Sequence, residues 1–374
     1  MTFDNLQQFN IFLGVNNVGK TSILEAIMGF ACGYYFSSMF NLSIIDRLRY
    51  QAQGLSTYQL AELVLNTFHN YYNRNDLTFS FKGKVIDEKN KISEKEFIHS
   101  FEPGQLLSTF LPNAKIIVND TSVIHQKIPM PFQPASGSPL MMDITAQYLG
   151  NWVISSGKEK KEFKLLFPMQ FNQFSNEKPF MPAVMHDIIS YRNISEFFKV
   201  YSHLMSQNVL DNFIKEINQA FNGLNIKSID NIPYPDGSQA PISFRLTNGT
   251  RYPLYTLGDG VQRWFNLLGY MIAYPNAIHC IEESDVTFHH EAQNGFSKNL
   301  KHYAKKYNNQ IFITTHNEEF LKTFLNGLGK EDPEFLKNSV RIITLRNFKT
   351  IVKQRTLDGL EALGALKSGL ELRK

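Results

Sequence analysis

Gly14-Val-Asn-Asn-Val-Gly-Lys-Thr21 has the spacing G-x-x-x-x-G-K-[ST]. Apolar residues Phe9, Ile11, Phe12 and Leu13 precede it, and the helix-forming run Ser22-Ile-Leu-Glu-Ala-Ile-Met28 follows it. A strand before and a helix after are the context in which this spacing cradles phosphate. Gly14 and Gly19 let the backbone curl so that successive N–H groups, those of Asn16, Asn17 and Ser22 among them, face one centre. The helix N-terminus adds unpaired N–H groups and partial positive charge. Lys20 is placed to reach the outer phosphates of a nucleotide, and the Thr21 hydroxyl to ligate Mg²⁺. The stretch therefore announces an α/β nucleotide-binding fold.

Composition narrows the class. The chain has 374 residues, 43% of them hydrophobic, including 31 Phe and 16 Tyr, so it can bury one or two substantial cores. Two cysteines, Cys32 and Cys280, lie in apolar surroundings and read as buried thiols of a reducing compartment. No C-x-x-C spacing points to zinc. A formal charge of +4 is mildly basic and permits nucleic acid as a partner without arguing for it. The N-terminus carries no basic run of the signal-peptide kind. Ala26–Ile45 is uncharged and about as long as a spanning helix. Its Gly, Ser and Asn content and its origin in the phosphate loop favour a buried helix and contact surface instead. The expectation is a cytoplasmic protein with no membrane segment.

Periodicity divides the chain. Gln8–Leu13 reads as the loop strand and Thr21 to about Gly33 as its helix, with helical pattern again over Asp46–Tyr72. Leu77–Phe81, Glu96–Phe101, Lys115–Val118 and Trp152–Ile154 suggest strands at short spacing, with a Pro/Gly loop over Pro129–Pro139 and a polar linker or hairpin tip at Ser155–Glu162. Ser190–Phe221 is helical in pattern. Ile242–Leu246, a tight turn at Asn248-Gly249 and Tyr252–Tyr255 read as a hairpin. Beyond it, strand and helix alternate to Arg355, which builds a largely parallel sheet flanked by helices. The nucleotide domain is thus split, 1–45 with 240–374, around an inserted β-rich and helical subdomain over 46–239.

The last third holds the chemistry. Ala277-Ile-His-Cys-Ile-Glu282-Glu283 is an apolar strand ending in two carboxylates. Phosphoryl transfer at a phosphate loop needs one carboxylate in the Mg²⁺ shell and another on the attacking water. Glu282 takes the first role and Glu283 the second. Gln310-Ile-Phe-Ile-Thr-Thr-His316 ends a second buried strand in a histidine that can bond the γ-phosphate or the water. Leu257-Gly258-Asp259-Gly260 opens the helix Val261–Met271 and offers a further anion site.

Together these pieces resemble the ABC-type ATPases of the RecF/SMC/OLD group within the AAA-family ATPases. Phe9-Asn-Ile-Phe-Leu-Gly-Val-Asn-Asn-Val-Gly-Lys-Thr-Ser-Ile-Leu-Glu-Ala-Ile27 is similar to the group's opening, and Leu257–Gly260 to its signature motif. Ile281-Glu-Glu-Ser-Asp-Val-Thr-Phe-His289 resembles its Walker B segment, where Glu at the first position also occurs in OLD-like members. Thr314-Thr-His316 is similar to its switch histidine, and Leu357–Arg373 to its ending. The resemblance covers roughly 8–30 and 240–374. It implies an ABC-type ATPase head with a mixed sheet, interrupted by a lid or arm, of the small kind without a fused TOPRIM nuclease segment.

It implies further that ATP on one subunit is capped by Gly258–Gly260 of another, so that binding joins two heads and hydrolysis releases them. Small members of the group commonly act in phage defence beside a co-encoded nuclease-like or toxin partner, and that is the leading expectation. A RecF-like clamp in DNA maintenance and a non-hydrolysing module held together by ATP are the alternatives.

Overall fold

The computed structural model describes residues 3–16, 18–33, 78–86, 91–103, 123–129, 141–167, 180–187, 194–221, 223–231, 240–283, 290–330, 332–348 and 351–373. Asn17, the helical pattern read over Asp46–Tyr72, the strand read at Lys115–Val118 and the loop at 130–139 lie outside them, as does 284–289 beyond the paired carboxylates.

Strand β1 (Phe9–Leu13) is the axis of the first unit, and all five of its residues are buried. Burial at successive positions, not alternating ones, suits a strand covered on both faces. It pairs in parallel with β12 (Gln310–Thr315) on one side and β13 (Val340–Phe348) on the other. Beyond β12 come β11 (Ile278–Ile281) and β7 (Ala183–His186), both parallel; beyond β13 comes the antiparallel edge strand β14 (Ile351–Asp358). The fold is α/β, a mixed six-stranded sheet of order β14-β13-β1-β12-β11-β7 flanked by helices.

Helix α1 (Lys20–Cys32) leaves the phosphate loop, and α2 (Ile194–Ser206) and α3 (Leu210–Ala220) follow β7. A small antiparallel sheet, β8 (Ile226–Asp230), β9 (Ser243–Leu246) and β10 (Arg251–Pro253), leads into α4 (Asp259–Ala273). Then come α5 (His290–Lys306), α6 (Glu318–Gly329), α7 (Pro333–Ser339) and α8 (Gly359–Lys367). Every residue of α4 from Gln262 to Ala273 is buried. Its Gly269 lets α2 approach closely, because a Cβ there would stand 2.3 Å from a Val200 methyl.

The chain forms two compact units, residues 1–28 with 181–374, and residues 29–180. Residues 181–239, which the sequence pattern assigned to the insertion, group with the nucleotide sheet. The reason is pairing: β7 supplies its edge strand, in register with β11 from Ala183↔Ile278 to His186↔Ile281. The second unit is antiparallel. It contains β2 (Thr78–Ile86), β3 (Ile92–Pro103), β4 (Val123–Pro129), β5 (Met141–Ser156) and β6 (Glu159–Phe167), in the order β2-β3-β5-β4 with β6 also on β5. The polar run at Ser155–Glu162 is the β5–β6 hairpin tip, with Gly157 at φ +59°.

Candidate nucleotide site

Gly14 stands where β1 ends. A Cβ on it would lie 2.9 Å from the Leu345 carbonyl oxygen of β13 and 2.8 Å from a Val18 methyl, so its requirement is steric. Gly19 differs: a Cβ would meet nothing within 4 Å, but φ is +91°, a conformation that other residues adopt only with strain. Between them Val15 and Asn16 are exposed, and Ser22 faces outward on the first turn of α1. Lys20 is buried, and its ammonium donates to the carbonyls of Gly14 and Val15, both at 2.9 Å. The Thr21 hydroxyl donates to Glu282 Oε1 across 261 residues of sequence.

That contact follows from strand order. β12 lies between β1 and β11, with Leu13 opposite Thr315 and Ile281 opposite Ile313. The phosphate loop, the carboxylates after β11 and His316 after β12 therefore emerge at the same, carboxyl-terminal edge, where open α/β sheets bind their ligands. Glu282 and Glu283 are both half-buried. The Glu282 N–H donates to His186 O at 2.9 Å, and its carbonyl accepts from Arg263 Nη2 at 3.2 Å. Glu283 has φ +43° and donates its N–H to Thr314 Oγ1 at 3.1 Å. A non-glycine residue held there carries strain of about 1 kcal/mol or more, which the surrounding contacts must offset. His316 is half-buried. The turn beyond it is fixed by Asn317, whose N–H donates to Thr315 Oγ1 at 3.1 Å and whose side chain caps α6 through the N–H groups of Glu319 and Phe320.

The donor set fits magnesium. Thr21 and Glu282 offer two hard oxygens in contact, and Mg²⁺ at a nucleotide keeps several waters and takes phosphate oxygens for the remainder. A cluster of three or more His, Cys, Asp or Glu is not needed for that, and the described residues contain none.

Gly258 caps the N-terminus of α4 and is exposed, with Asp259 and Gly260 in the first turn. The side chain of Gln262 ties this turn to the preceding segment, donating to the carbonyls of Leu257 at 2.6 Å and Tyr255 at 3.4 Å. A link from this turn to the carboxylates runs through Arg263, which the motifs did not single out. No residue spacing signals it, because it acts on a carbonyl that only the fold brings near. Nor did the motifs flag the His186–His279 pair, whose Nε2 and Nδ1 lie 3.0 Å apart between stacked rings beneath Glu282. Burial pushes His279 down to about 3. His186 is lowered well below the usual imidazole range by burial first, then by His279 and Arg263. Both rings are therefore neutral, one donating to the other.

Comparison with known proteins places these features in a class. The family described as AAA ATPase domain matches residues 194–321, from α2 into α6, which takes in Gly258–Gly260, Glu282–Glu283 and His316. An "ATP/GTP phosphatase" of Helicobacter pylori is 24% identical over 376 residues, covering 95% of this chain and 91% of that protein. Among solved structures, the chain is similar to an Smc head bound to the C-winged helix domain of ScpA, at a TM-score of 0.43 and 11% identity, with 95% of this chain and 92% of that one covered. It is also similar to the SMC head domain from Thermotoga maritima, at 0.35 and 12%, with the same coverage. Residues 194–321 thus resemble an AAA ATPase domain, which supports ATP hydrolysis by this chain.

Proposed function

We propose that this chain binds Mg-ATP at Gly14–Ser22, that two copies join with Gly258–Gly260 of each over the nucleotide of the other, and that hydrolysis separates them. The observation that carries the proposal is the contact of Thr21 with Glu282, which unites the phosphate loop with the carboxylate strand at one edge. When bound, Mg²⁺ would be held by Thr21 and Glu282 and would neutralise charge on the β- and γ-phosphates. Lys20 exchanges its two loop carbonyls for phosphate oxygens. Glu283 accepts a proton from the attacking water as the new P–O bond forms and the bond to ADP breaks. His316 donates to the γ-phosphate, and the strained turn at Glu283 holds the base against Thr314.

The purpose of the cycle is the control of a partner. The resemblance of the opening, signature and switch segments to the RecF/SMC/OLD group supports a sensor or scaffold in antiviral defence, acting on a co-encoded nuclease-like or toxin effector. Among the described residues no helix is long and apolar enough to cross a membrane. The test is twofold. Glu283→Gln should retain ATP, sediment as an ATP-dependent dimer and abolish protection of cells challenged with phage. Failure of the wild-type chain to protect would refute the defence role, and a variant that protects as well as wild type would refute the need for hydrolysis. DNA binding that weakens steeply with salt would move the reading to a repair clamp.

A further inference from the structure

Leu372 and Arg373 bond to residues of two different strands of the nucleotide sheet. Arg346, one residue beyond the Leu345 that walls Gly14, donates from Nη2 to Leu372 O at 3.2 Å. Leu372 itself is buried. The next residue, Arg373, turns to the other side: its backbone N–H donates to Glu318 Oε1 at 2.8 Å, and its Nη1 donates to His316 O at 3.0 Å. Its Nε lies 3.6 Å from the same Glu318 oxygen, and its Nη2 lies 3.6 Å from Glu371. β13 and β12 flank β1. Two consecutive residues thus pin the strand ends on either side of the phosphate-loop strand, which neighbouring strands set about 10 Å apart.

We infer that Leu372–Arg373 form a strap that positions His316, so that Arg373 is a positioning residue for ATP hydrolysis. The inference rests on the reading of His316 as the γ-phosphate ligand. His316 is the hinge between β12 and α6. Its N-terminal neighbour is fixed by the sheet, and the residue beyond it by the Asn317 cap. The carbonyl that sets the orientation of its peptide is held by a charged donor, a bond stronger than a neutral one. Glu318 in turn holds that donor, so the guanidinium is oriented from two sides. Removing it takes away one of the two bonds on that peptide, leaving the Asn317 N–H bond to Thr315 Oγ1. A small misplacement of a group that acts only in the transition state lowers kcat without weakening ground-state binding.

The experiment is a mutant cycle on ATP turnover with Arg373→Ala, His316→Ala and the double variant, accompanied by nucleotide affinity and thermal melting. Arg373→Ala should lower kcat about tenfold with KM unchanged, and the double variant should be no slower than His316→Ala alone. Arg373→Lys, which keeps a single charged donor, should recover part of the loss, and Glu318→Gln should reproduce a fraction of it in a chain that keeps Arg373. Multiplying effects, or a raised KM at unchanged kcat, would overturn the strap while leaving His316 in its role. If His316→Ala turns over like wild type, the switch-histidine reading fails and the strap falls with it.

Discussion

The two sheets of this chain solve different problems with similar material. In the six-stranded sheet β1, β11 and β7 are buried along their whole length, pairing is parallel everywhere but at the β14 edge, and Thr21, Glu282 and His316 lie where strands end. In the antiparallel sheet of residues 29–180, exposure alternates along the strand: Ser80, Lys82 and Lys84 of β2 are exposed, while Phe81, Gly83 and Val85 are partly covered. Its core is an aromatic cluster, Phe30, Phe97 and Phe180, with ring centroids 5.5 to 5.9 Å apart. Charged edge strands of this kind resist unwanted pairing. Parallel burial concentrates chemistry at one edge, whereas the antiparallel unit spreads its polar surface and builds no comparable constellation among the described residues.

That contrast can be broken by mutation, and the largest effects belong to the parallel sheet. In the proposed site Lys20 and Thr21 both act on charge that develops in the transition state, so Lys20→Ala and Thr21→Ala should each lower kcat/KM for ATP by roughly a hundredfold or more. Steady-state turnover checks this. Gly269→Ala comes next. The added methyl meets Val200 between two buried helices, and overpacking of that sort costs about 1–3 kcal/mol, read as a lower denaturation midpoint.

The buried imidazole gives the third effect. His279 is held at about 3, below its ordinary 6.5, so the unfolded chain binds a proton that the folded chain refuses. Its contribution is therefore absent above pH 6.5 and grows more destabilising as pH falls from 6.5 toward 3, at up to about 1.4 kcal/mol per pH unit. Denaturation of His279→Leu should show a shallower loss between pH 6.5 and 5 than wild type; equal slopes would remove His279 as the cause. The smallest effect lies in the antiparallel unit. Lys82 and Glu94 are paired at 3.1 Å but both are more than half exposed, so Lys82→Ala should leave turnover and melting temperature unchanged within error.

The same contrast explains what could be read from the sequence. That Gly14–Thr21 and Glu282–Glu283 would meet was legible because loop and strand-end chemistry demands fixed residue types at fixed spacing. Most of the alternating elements after residue 240 were legible because their apolar runs are long. β7 was not, since Ala183-Val-Met-His186 is four residues between a proline and an acid, and only its register against β11 makes it a strand. The helical pattern over Ser190–Phe221 divides at Gln207–Val209, where Asn208 takes φ +55° and α2 ends before α3 begins. Arg263, His186 and Arg373 were invisible for a different reason. Each acts on a backbone carbonyl or a neighbouring ring brought near by the fold, and no spacing in the chain encodes such a contact.

In the proposed cycle a site is completed only when a second copy brings its Gly258–Gly260. This is tested most directly by mixing two inactive variants, Lys20→Ala and Gly260→Asp. A mixed dimer contains one site with an intact loop from one subunit and an intact signature turn from the other. Mixing should restore about a quarter of wild-type ATP turnover, as random pairing of symmetric dimers requires. A mixture that remains as inactive as its components, with both variants folded and dimerising, would contradict the shared site.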